Sequence, residues 1–429
     1  KKNKYRGGIL ADDPGLGKTY QIIELLLTKP SKTIIIVPKC ILSQWEKILR
    51  QFFDSSDIQI YNDSKNISIN NNISILLTTY GKCYSCKTSE HIRNTNWSRI
   101  VLDEGHVVRN QNTKVFKSIQ RIIRPNTVTW IITGTPLQNS YKDIKNLIKL
   151  IGMESLDQDV DYIKRRNKQI LYDSNELEEY NVINHLVPFE TELEENFYKD
   201  IYANKLANLK KGTYHHFMMI ELILRMRQAS IDPRIVMKSY PNCSLNFDEN
   251  FVSSKINSLV NDISKTKGLK LVITQFNQEM DLIYNELKKR NIKSEKYNGS
   301  MTTTERQDVL NKFPSQSINF DKLKLINCPY VLLLQIKAGG VGLNLQQFSN
   351  IFILSPDWNP SNEHQAISRI HRIGQKYKIS VHKYTLTSPN FKTIDQNILD
   401  TQKKKRSIMA DVLDDQSLLF NEIFKMKHL

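Results

Sequence analysis

Cysteine is scarce. The chain has five among 429 residues (Cys40, Cys83, Cys86, Cys243 and Cys328), few and odd in number, which argues against a disulfide framework and for a reducing compartment. Cys83 and Cys86 form a lone C-x-x-C with no second pair or histidine pair at finger spacing. Zinc needs four ligands, so the pair reads as two reduced thiols in a loop. Long apolar runs are also missing. The longest, such as Thr33–Val37 and Val331–Leu334, fall far short of a membrane span, so no membrane partner is expected. The opening KKNKYRGG is basic but leads into no apolar signal core, and it reads as the start of a fragment or of an ordered core. There is no internal repeat of solenoid period, and no low-complexity tract beyond Asn-rich loops such as 66–72. Acidic residues are outnumbered: 61 Lys plus Arg face 44 Asp plus Glu, a formal charge of +17. That balance favours polyanionic partners and salt-sensitive binding; a generally basic, solvated surface is the alternative.

At a loose prior of about 150 residues per domain, the length suggests two or three domains. The 40% apolar and 24% charged content is that of a packed protein, not a disordered one. Short β-branched runs alternate with longer amphipathic stretches, as in βα units building a parallel sheet. Predicted strands are Gly8–Ala11, Thr33–Val37, Ile73–Thr78, Ile100–Leu102 and Thr129–Thr133, then Leu269–Thr274, Val331–Gln335, Ile351–Leu354 and Val381–Leu386. Two sheets are implied, an α/β fold class. From Tyr141 to about Asn250 such runs are absent, and Glu192–Tyr202 and Phe217–Arg227 have helical spacing, so inserted helices are expected there. The polar, turn-forming segment Tyr240–Asn250 marks the boundary before the second sheet. After Asp395 the chain reads as helical through the basic run Lys403–Arg406.

The segment GILADDPGLGKT sets Gly15, Gly17, Lys18 and Thr19 between a strand and the helix predicted over Tyr20–Leu27. Glycines let backbone N–H groups curl around a polyphosphate, and the helix N-terminus adds its positive end. Lys18 can reach β/γ-phosphates and Thr19 can ligate Mg²⁺. A strict G-x-x-x-x-G-K-T match fails, because Asp12 occupies the first glycine position. VLDEGH (Val101–His106) also closes a strand, leaving Asp103 and Glu104 where ligands gather in open α/β sheets. Asp103 is expected to hold Mg²⁺ and Glu104 to orient and deprotonate an attacking water. TGTPLQN is a third strand-terminal polar motif, able to hydrogen-bond the Asp–Glu pair and a moving neighbour through Thr133, Thr135, Gln138 and Asn139; a simple Gly-Pro turn is the competing explanation.

In the second half, KAGGVGLNL follows a strand with glycines that permit close approach to a ligand. SPDWNPSNEHQAISRIHRIGQ then supplies Gln365, Arg369, Arg372 and Gln375. Arg369 and Arg372, three apart, are expected on one helical face, as two guanidiniums meeting one γ-phosphate must be; salt-bridged surface arginines are the plainer explanation.

Taken together and in this order, the motifs resemble the Swi/Snf family of helicase-like, DNA-translocating ATPases in helicase superfamily two. DDPGLGKT, DEGH and TGTPLQN belong to the first lobe, AGGVGLNL and QAISRIHRIGQ to the second. VPKCILSQW, LRMRQASIDP and the block DWNP…HRIGQ mark the Swi/Snf branch. The resemblance implies two RecA-like parallel-sheet lobes with Swi/Snf-type helical insertions and a C-terminal bracing helix. The expected divisions are 1–145, 146–250, 251–400 and 401–429. It implies ATP and Mg²⁺, the nucleotide being held by Asp13, Gly15, Leu16, Gly17, Lys18, Thr19 and Tyr20 in the first lobe and by Gly342 and Gln365 in the second. Metal ligands would be Thr19 and Asp103; catalytic groups would be Lys18, Glu104, Arg369 and Arg372.

By the same resemblance, Ser43, Gln44, Thr78, Thr79 and Tyr80, with Thr274, Gln275, Ala338, Gly339 and Trp358, contact the DNA backbone. The implied partner is double-stranded DNA, with nucleosomes or other DNA-bound proteins as targets of a monomeric motor. The implied location is the nucleus, or the cytoplasm or virion if the source is viral. The chain departs from the family in three places. Residues 1–6 leave no room for the upstream segment whose Gln recognises adenine. Ile231-Asp232 stand where many relatives carry a Cys/His-containing stretch, and Gln335 replaces a small hydroxyl residue. The stretch from Pro233 to Leu269 is too short for the RING domain of some relatives. A strand-separating helicase, a transcription-associated NTPase of a large DNA virus and a DNA-binding scaffold with a dead ATPase are the alternatives. The wealth of Lys, Asn and Ile fits an AT-rich genome of the viral sort.

Overall fold

The computed structural model describes residues 6–61, 69–70, 72–85, 89–134, 141–153, 162–209, 215–237, 247–248, 250–314, 330–336 and 343–413. It divides into two compact units, residues 1–175 with 405–429 and residues 176–404.

In the first unit the chain order is β1 (Gly7–Leu10), α1 (Lys18–Thr28), β2 (Thr33–Val37), α2 (Leu42–Phe52), β3 (Ile58–Tyr61), β4 (Ile75–Thr79), α3 (Tyr80–Tyr84), α4 (Ser89–Asn94), β5 (Arg99–Asp103), α5 (Lys114–Ile122), β6 (Val128–Ile132), α6 (Tyr141–Leu150), β7 (Ile163–Lys164) and α7 (Gln169–Asp173). The seven strands form one parallel sheet in the order β3-β4-β2-β5-β6-β1-β7. Strands β2 (TIIIV) and β4 (ILLTT) are buried at every position, as a parallel sheet covered by helices on both faces requires. Trp45 of α2 and Trp97 are fully buried against this sheet's helical layers. Because the strands are parallel, the ends of β1, β4, β5 and β6 open on one edge, so residues 11–17, Tyr80, Asp103–Glu104 and Thr133 share that edge.

The second unit continues with β8 (Asn181–Pro188), α8 (Glu192–Leu209), α9 (His215–Ile231), α10 (Arg234–Met237), α11 (Ser254–Lys265), β9 (Lys270–Thr274), α12 (Asn277–Lys289), β10 (Ser294–Tyr297), α13 (Thr303–Asn311), β11 (Val331–Gln335), β12 (Asn350–Ile353), α14 (Pro360–Ile367), β13 (Ser380–Thr387) and the first part of α15 (Ile394–Leu413), whose residues from Lys405 on are counted with the first unit. Its six strands are again parallel, in the order β10-β11-β9-β12-β13-β8. Apolar residues of β9, β11 and β12 enter two clusters, one on each face of the sheet.

The helical insertion region expected over 146–250 holds strands as well as helices. Two strands lie in it: β7 extends the first sheet beside β1, and β8 pairs along eight residues with β13, from Asn181↔Ser380 to Pro188↔Thr387. The second unit accordingly begins at Glu176, not at 251. Strand β8 escaped notice because it is an edge strand with most positions exposed, which removes the selection for a continuous apolar run. The expected brace over 401–429 starts earlier, within α15; residues 414–429 lie outside the described residues. Cys83 sits not in a loop but in α3, buried, its thiol donating to the Thr79 carbonyl and pushed up to about 12 by burial. Cys86 lies outside the described residues.

Candidate nucleotide site and nucleic-acid contacts

Strand β1 runs into the loop 11–17, and α1 begins at Lys18 behind Gly17, whose φ of 72° is the left-handed conformation that glycine adopts without penalty. Among the described residues no side chain caps α1, and the N–H groups that open a helix are suited to an anion. Lys18 Nζ donates to the carbonyls of Asp12 (2.7 Å) and Asp13 (3.1 Å). Burial lowers its pKa, and the carboxylates of Glu104, Asp103, Asp13 and Asp12 act in the opposite direction. Leu16 accepts from Gln21 Nε2 through its carbonyl, and Gly15, like Gly17, has positive φ. Thr19 is half-buried; Tyr20 is 56% exposed and meets the exposed Phe52 edge to face. The Asp13 carboxylate is held by Arg165 Nη2 and the Lys168 amide, while its carbonyl accepts from Lys18.

Asp103 closes β5. Its Oδ1 accepts from the Glu104 amide (2.9 Å), its Oδ2 from Trp45 Nε1 (2.6 Å) and its carbonyl from the Tyr80 hydroxyl (2.7 Å). Burial, with the Glu104 carboxylate second, pushes the Asp103 carboxyl up to about 6. Glu104 is left-handed (φ 50°), a conformation that costs a non-glycine residue energy and turns the chain sharply behind the strand. Its Oε2 lies 3.2 Å from His106 Nδ1. Thr133 is buried, and its amide donates to Leu10 on the neighbouring strand. A Cβ at Gly134 would stand 2.8 Å from Cγ of Pro14, so glycine there lets this strand end approach the phosphate loop. Thr135, Gln138 and Asn139 lie outside the described residues.

The expected DNA contacts divide. Ser43 and Gln44 are exposed on α2, as a phosphate contact requires. The side chains of Thr78, Thr79 and Tyr80 are buried, Thr78 Oγ1 donating to the Tyr61 carbonyl and the Tyr80 hydroxyl to the Asp103 carbonyl. Thr274 is likewise fully buried. Gln275 is braced internally, donating to the Ser355 carbonyl (3.2 Å) and accepting from Arg227 Nη2. Trp358 is half-buried and packs against the apolar cluster that includes Phe197, Tyr198 and Ile398. Ala338, Gly339 and Gly342 lie outside the described residues.

Arg369 and Arg372 do not share a helical face. Helix α14 ends at Ile367, and the arginines sit in the turns that follow, where the amides of Arg369 and Ile370 bond three residues back and Gly374 reverses the chain at φ 88°. Gln375 Nε2 pins this turn through the carbonyls of Gln346, Phe348 and Ile370. Arg369 is buried, and Arg372 Nε donates to the Ser368 carbonyl. Burial, with the Arg369 charge second, lowers Arg372 to about 10. Two neighbouring cations, one buried and one half-buried, favour an anion. Gln365 is half-buried on α14, its carbonyl accepting from Ser368.

Sequence reasoning missed Trp45 as a partner of Asp103, Arg227 as the brace of Gln275, and Arg165–Arg166 on the phosphate loop. Only Trp45 and Arg227 lay inside motifs that were noticed.

The SNF2-related domain family matches residues 1–187, and the helicase conserved C-terminal domain family matches residues 254–374. The chain belongs to the Swi/Snf family of helicase-like ATPases. This Swi/Snf chain is 28% identical, over 99% of its length and 90% of the relative's, to the "Probable global transactivator" of Orgyia pseudotsugata multicapsid polyhedrosis virus. It is 26% identical to "Nuclear protein STH1/NPS1" of Saccharomyces cerevisiae over 96% of this chain, and spans 34% of that protein. It is 24% identical to "Chromatin remodeling factor mit1" of Schizosaccharomyces pombe over 96% of this chain, and spans 32% of that protein. The Swi/Snf chain thus spans nearly all of the viral relative but about a third of these two yeast proteins. A Sulfolobus solfataricus SWI2/SNF2 ATPase core in complex with dsDNA aligns with 21% identity over 97% of this chain and 91% of that one, at a TM-score of 0.42. A score that low adds nothing to the topology described above.

Proposed function

We propose that this Swi/Snf chain is an ATP-driven translocase on double-stranded DNA. The observation that carries the reading is the meeting, on one edge of the first sheet, of the Lys18 ammonium with the carboxylates of Asp103 and Glu104 behind an uncapped helix N-terminus. The residues fit Mg²⁺: the Asp103 carboxylate and the Thr19 hydroxyl are hard oxygen donors. When bound, the ion neutralises charge on the β- and γ-oxygens of ATP. Lys18 then leaves the loop carbonyls for phosphate, and the amides at the start of α1 bind phosphate oxygens. Glu104, beside His106, orients the attacking water and takes its proton. Arg369 and Arg372 meet the γ-phosphate when the two lobes close, a contribution of ~10³–10⁵ in rate for an arginine of this kind.

Three supports point to DNA: the charge of +17, the exposed Ser43 and Gln44, and relatives that include a chromatin remodelling factor. If duplex DNA favours closure, hydrolysis becomes DNA-stimulated and alternating closure moves the protein along the duplex, displacing nucleosomes or other bound proteins in the nucleus. A second reading is favoured by the 90% coverage of the viral transactivator: the same engine serving transcription of a DNA virus, in nucleus, cytoplasm or virion. The test is ATP turnover with duplex, single-stranded and nucleosomal DNA, beside displacement of a triplex-forming strand and unwinding of a forked duplex. Duplex-stimulated turnover with triplex displacement and no unwinding is expected. Turnover indifferent to DNA overturns translocation.

A further inference from the structure

Two carboxylates directly ahead of a polyphosphate site are an electrostatic liability, since a buried anion repels the ligand with little screening. Asp12 is fully buried and Asp13 nearly so. Each is met by a different arginine of one short segment, 152 to 154 residues away in sequence. Arg166 holds Asp12 through its amide (2.9 Å to Oδ1), its Nε (3.2 and 3.0 Å to the two oxygens) and its Nη2 (2.5 Å to Oδ2). Arg165 bridges the Asp13 carboxylate and the Ala11 carbonyl, each at 2.9 Å. Beneath these contacts the backbone continues the pairing of β1 with β7: Ala11 N donates to the Lys164 carbonyl (2.7 Å) and Asp13 N to the Arg166 carbonyl (2.9 Å). Gln21 Nε2 of α1 also donates to Asp12 Oδ2. The stem of the phosphate loop is therefore a strand extension clamped by both backbone and side chains. The two carbonyls that hold Lys18 belong to the two clamped residues.

We propose that Arg165 and Arg166 are positioning residues of the nucleotide site, fixing the loop that carries Lys18 and cancelling the Asp12 and Asp13 charges so that a triphosphate can bind. The inference rests on the ATP reading above. Arg166 carries the sharper test, because its side chain is 41% exposed and contributes less to the packed interior than that of Arg165, at 7%.

The experiment measures KM and kcat for ATP, the binding of a fluorescent ADP analogue, and thermal unfolding, in the full chain and three variants. Arg166→Gln leaves the Asp12 charge uncompensated and is expected to raise KM and the analogue's Kd about 10-fold or more, with kcat changed far less. Asp12→Asn combined with Arg166→Gln removes the charge mismatch and should recover most of that loss. Arg166→Lys keeps the charge but not the two-pronged geometry and should raise KM about 3-fold or more. A purely structural pair would lower the melting temperature and leave KM where it was. If Arg166→Gln folds and binds as the wild type does, the proposal is overturned; if it does not fold, a wild-type KM in Arg166→Lys overturns it. A wild-type chain that neither binds the analogue nor hydrolyses ATP would instead be a failure of the ATP reading.

Discussion

Trp45 Nε1 donates to Asp103 Oδ2 at 2.6 Å, joining α2 to the acidic end of β5 across 58 residues of sequence. The indole is fully buried, so this bond, beside that from the Glu104 amide, replaces water on a carboxylate that burial desolvates. Trp45→Phe keeps the ring and removes the donor. It should cost about 1–3 kcal/mol of stability, read as a lower urea midpoint, and reduce ATP turnover through a misplaced Asp103. An unchanged midpoint would show that the bond contributes nothing.

Glu104→Gln keeps the size and left-handed backbone of its residue while removing the base. Turnover should fall by ~10²–10⁴, the range for loss of one positioned general base, with nucleotide binding retained. Hydrolysis at the wild-type rate would take Glu104 out of that role.

Arg372 sits in a turn where the neighbouring Arg369 charge and burial already disfavour its cation. Arg372→Ala relieves that repulsion, so the fold should be held or slightly strengthened while kcat is suppressed and DNA affinity is largely kept. A filter-binding isotherm and a turnover assay on the same preparation separate the two effects. An unchanged kcat means that the second lobe supplies no arginine to the reaction.

What could be read from the sequence was what is local or doubly buried. Strands β2 and β4 showed themselves because both faces are covered and β-branched or aliphatic residues fill every position. Gly15, Gly17, Lys18 and Thr19 were legible because the chemistry of a phosphate loop lies within a few residues. Strand β8 is an edge strand with most positions exposed, β3 is an edge strand of four residues and β7 is two residues long, so none carries a clear periodic signal. The Arg165–Asp13 pair spans 152 residues, and nothing at either position announces the other. The burial of the Thr78 and Tyr80 side chains was illegible for a related reason: near a strand end, a hydroxyl turned inward to a carbonyl and one turned out to a ligand are written with the same residue. Arg369 and Arg372 lost their shared face because α14 stops at Ile367 and the chain tightens into turns before Gly374.

Lys255 and Asp395 form a fully buried ion pair at 2.7 Å, with the Leu386 amide and the Ser230 hydroxyl completing the shell of the carboxylate. Lys255→Met leaves Asp395 charged without its cation and should cost about 3–5 kcal/mol. Asp395→Asn strands the ammonium in the same way. The double variant should be markedly less destabilised than the sum of the two, since neither charge then remains; additive losses in a denaturant cycle would show the pair to be uncoupled.

Burial pushes Glu194, bonded to Ser254, and Glu279, bonded to the amides of Gln275 and Phe276, each up to about 7 from an ordinary value of 4.5. The folded chain therefore binds more protons than the unfolded one between those two values, and stability falls as pH rises through that window. The contribution is fully present below about 4.5 and lost above about 7. His382, lowered to about 4 mainly by burial, titrates with the opposite sign, so the clean measurement is the difference between wild type and variant, in which its contribution cancels. Glu194→Gln and Glu279→Gln keep an acceptor oxygen and remove the titration. Each should gain stability relative to wild type as pH is raised from 5 to 8, by up to about 1.4 kcal/mol per pH unit inside the window. Urea midpoints at the two pH values check this, and a variant that runs parallel to the wild type would show that its carboxyl titrates in the ordinary range.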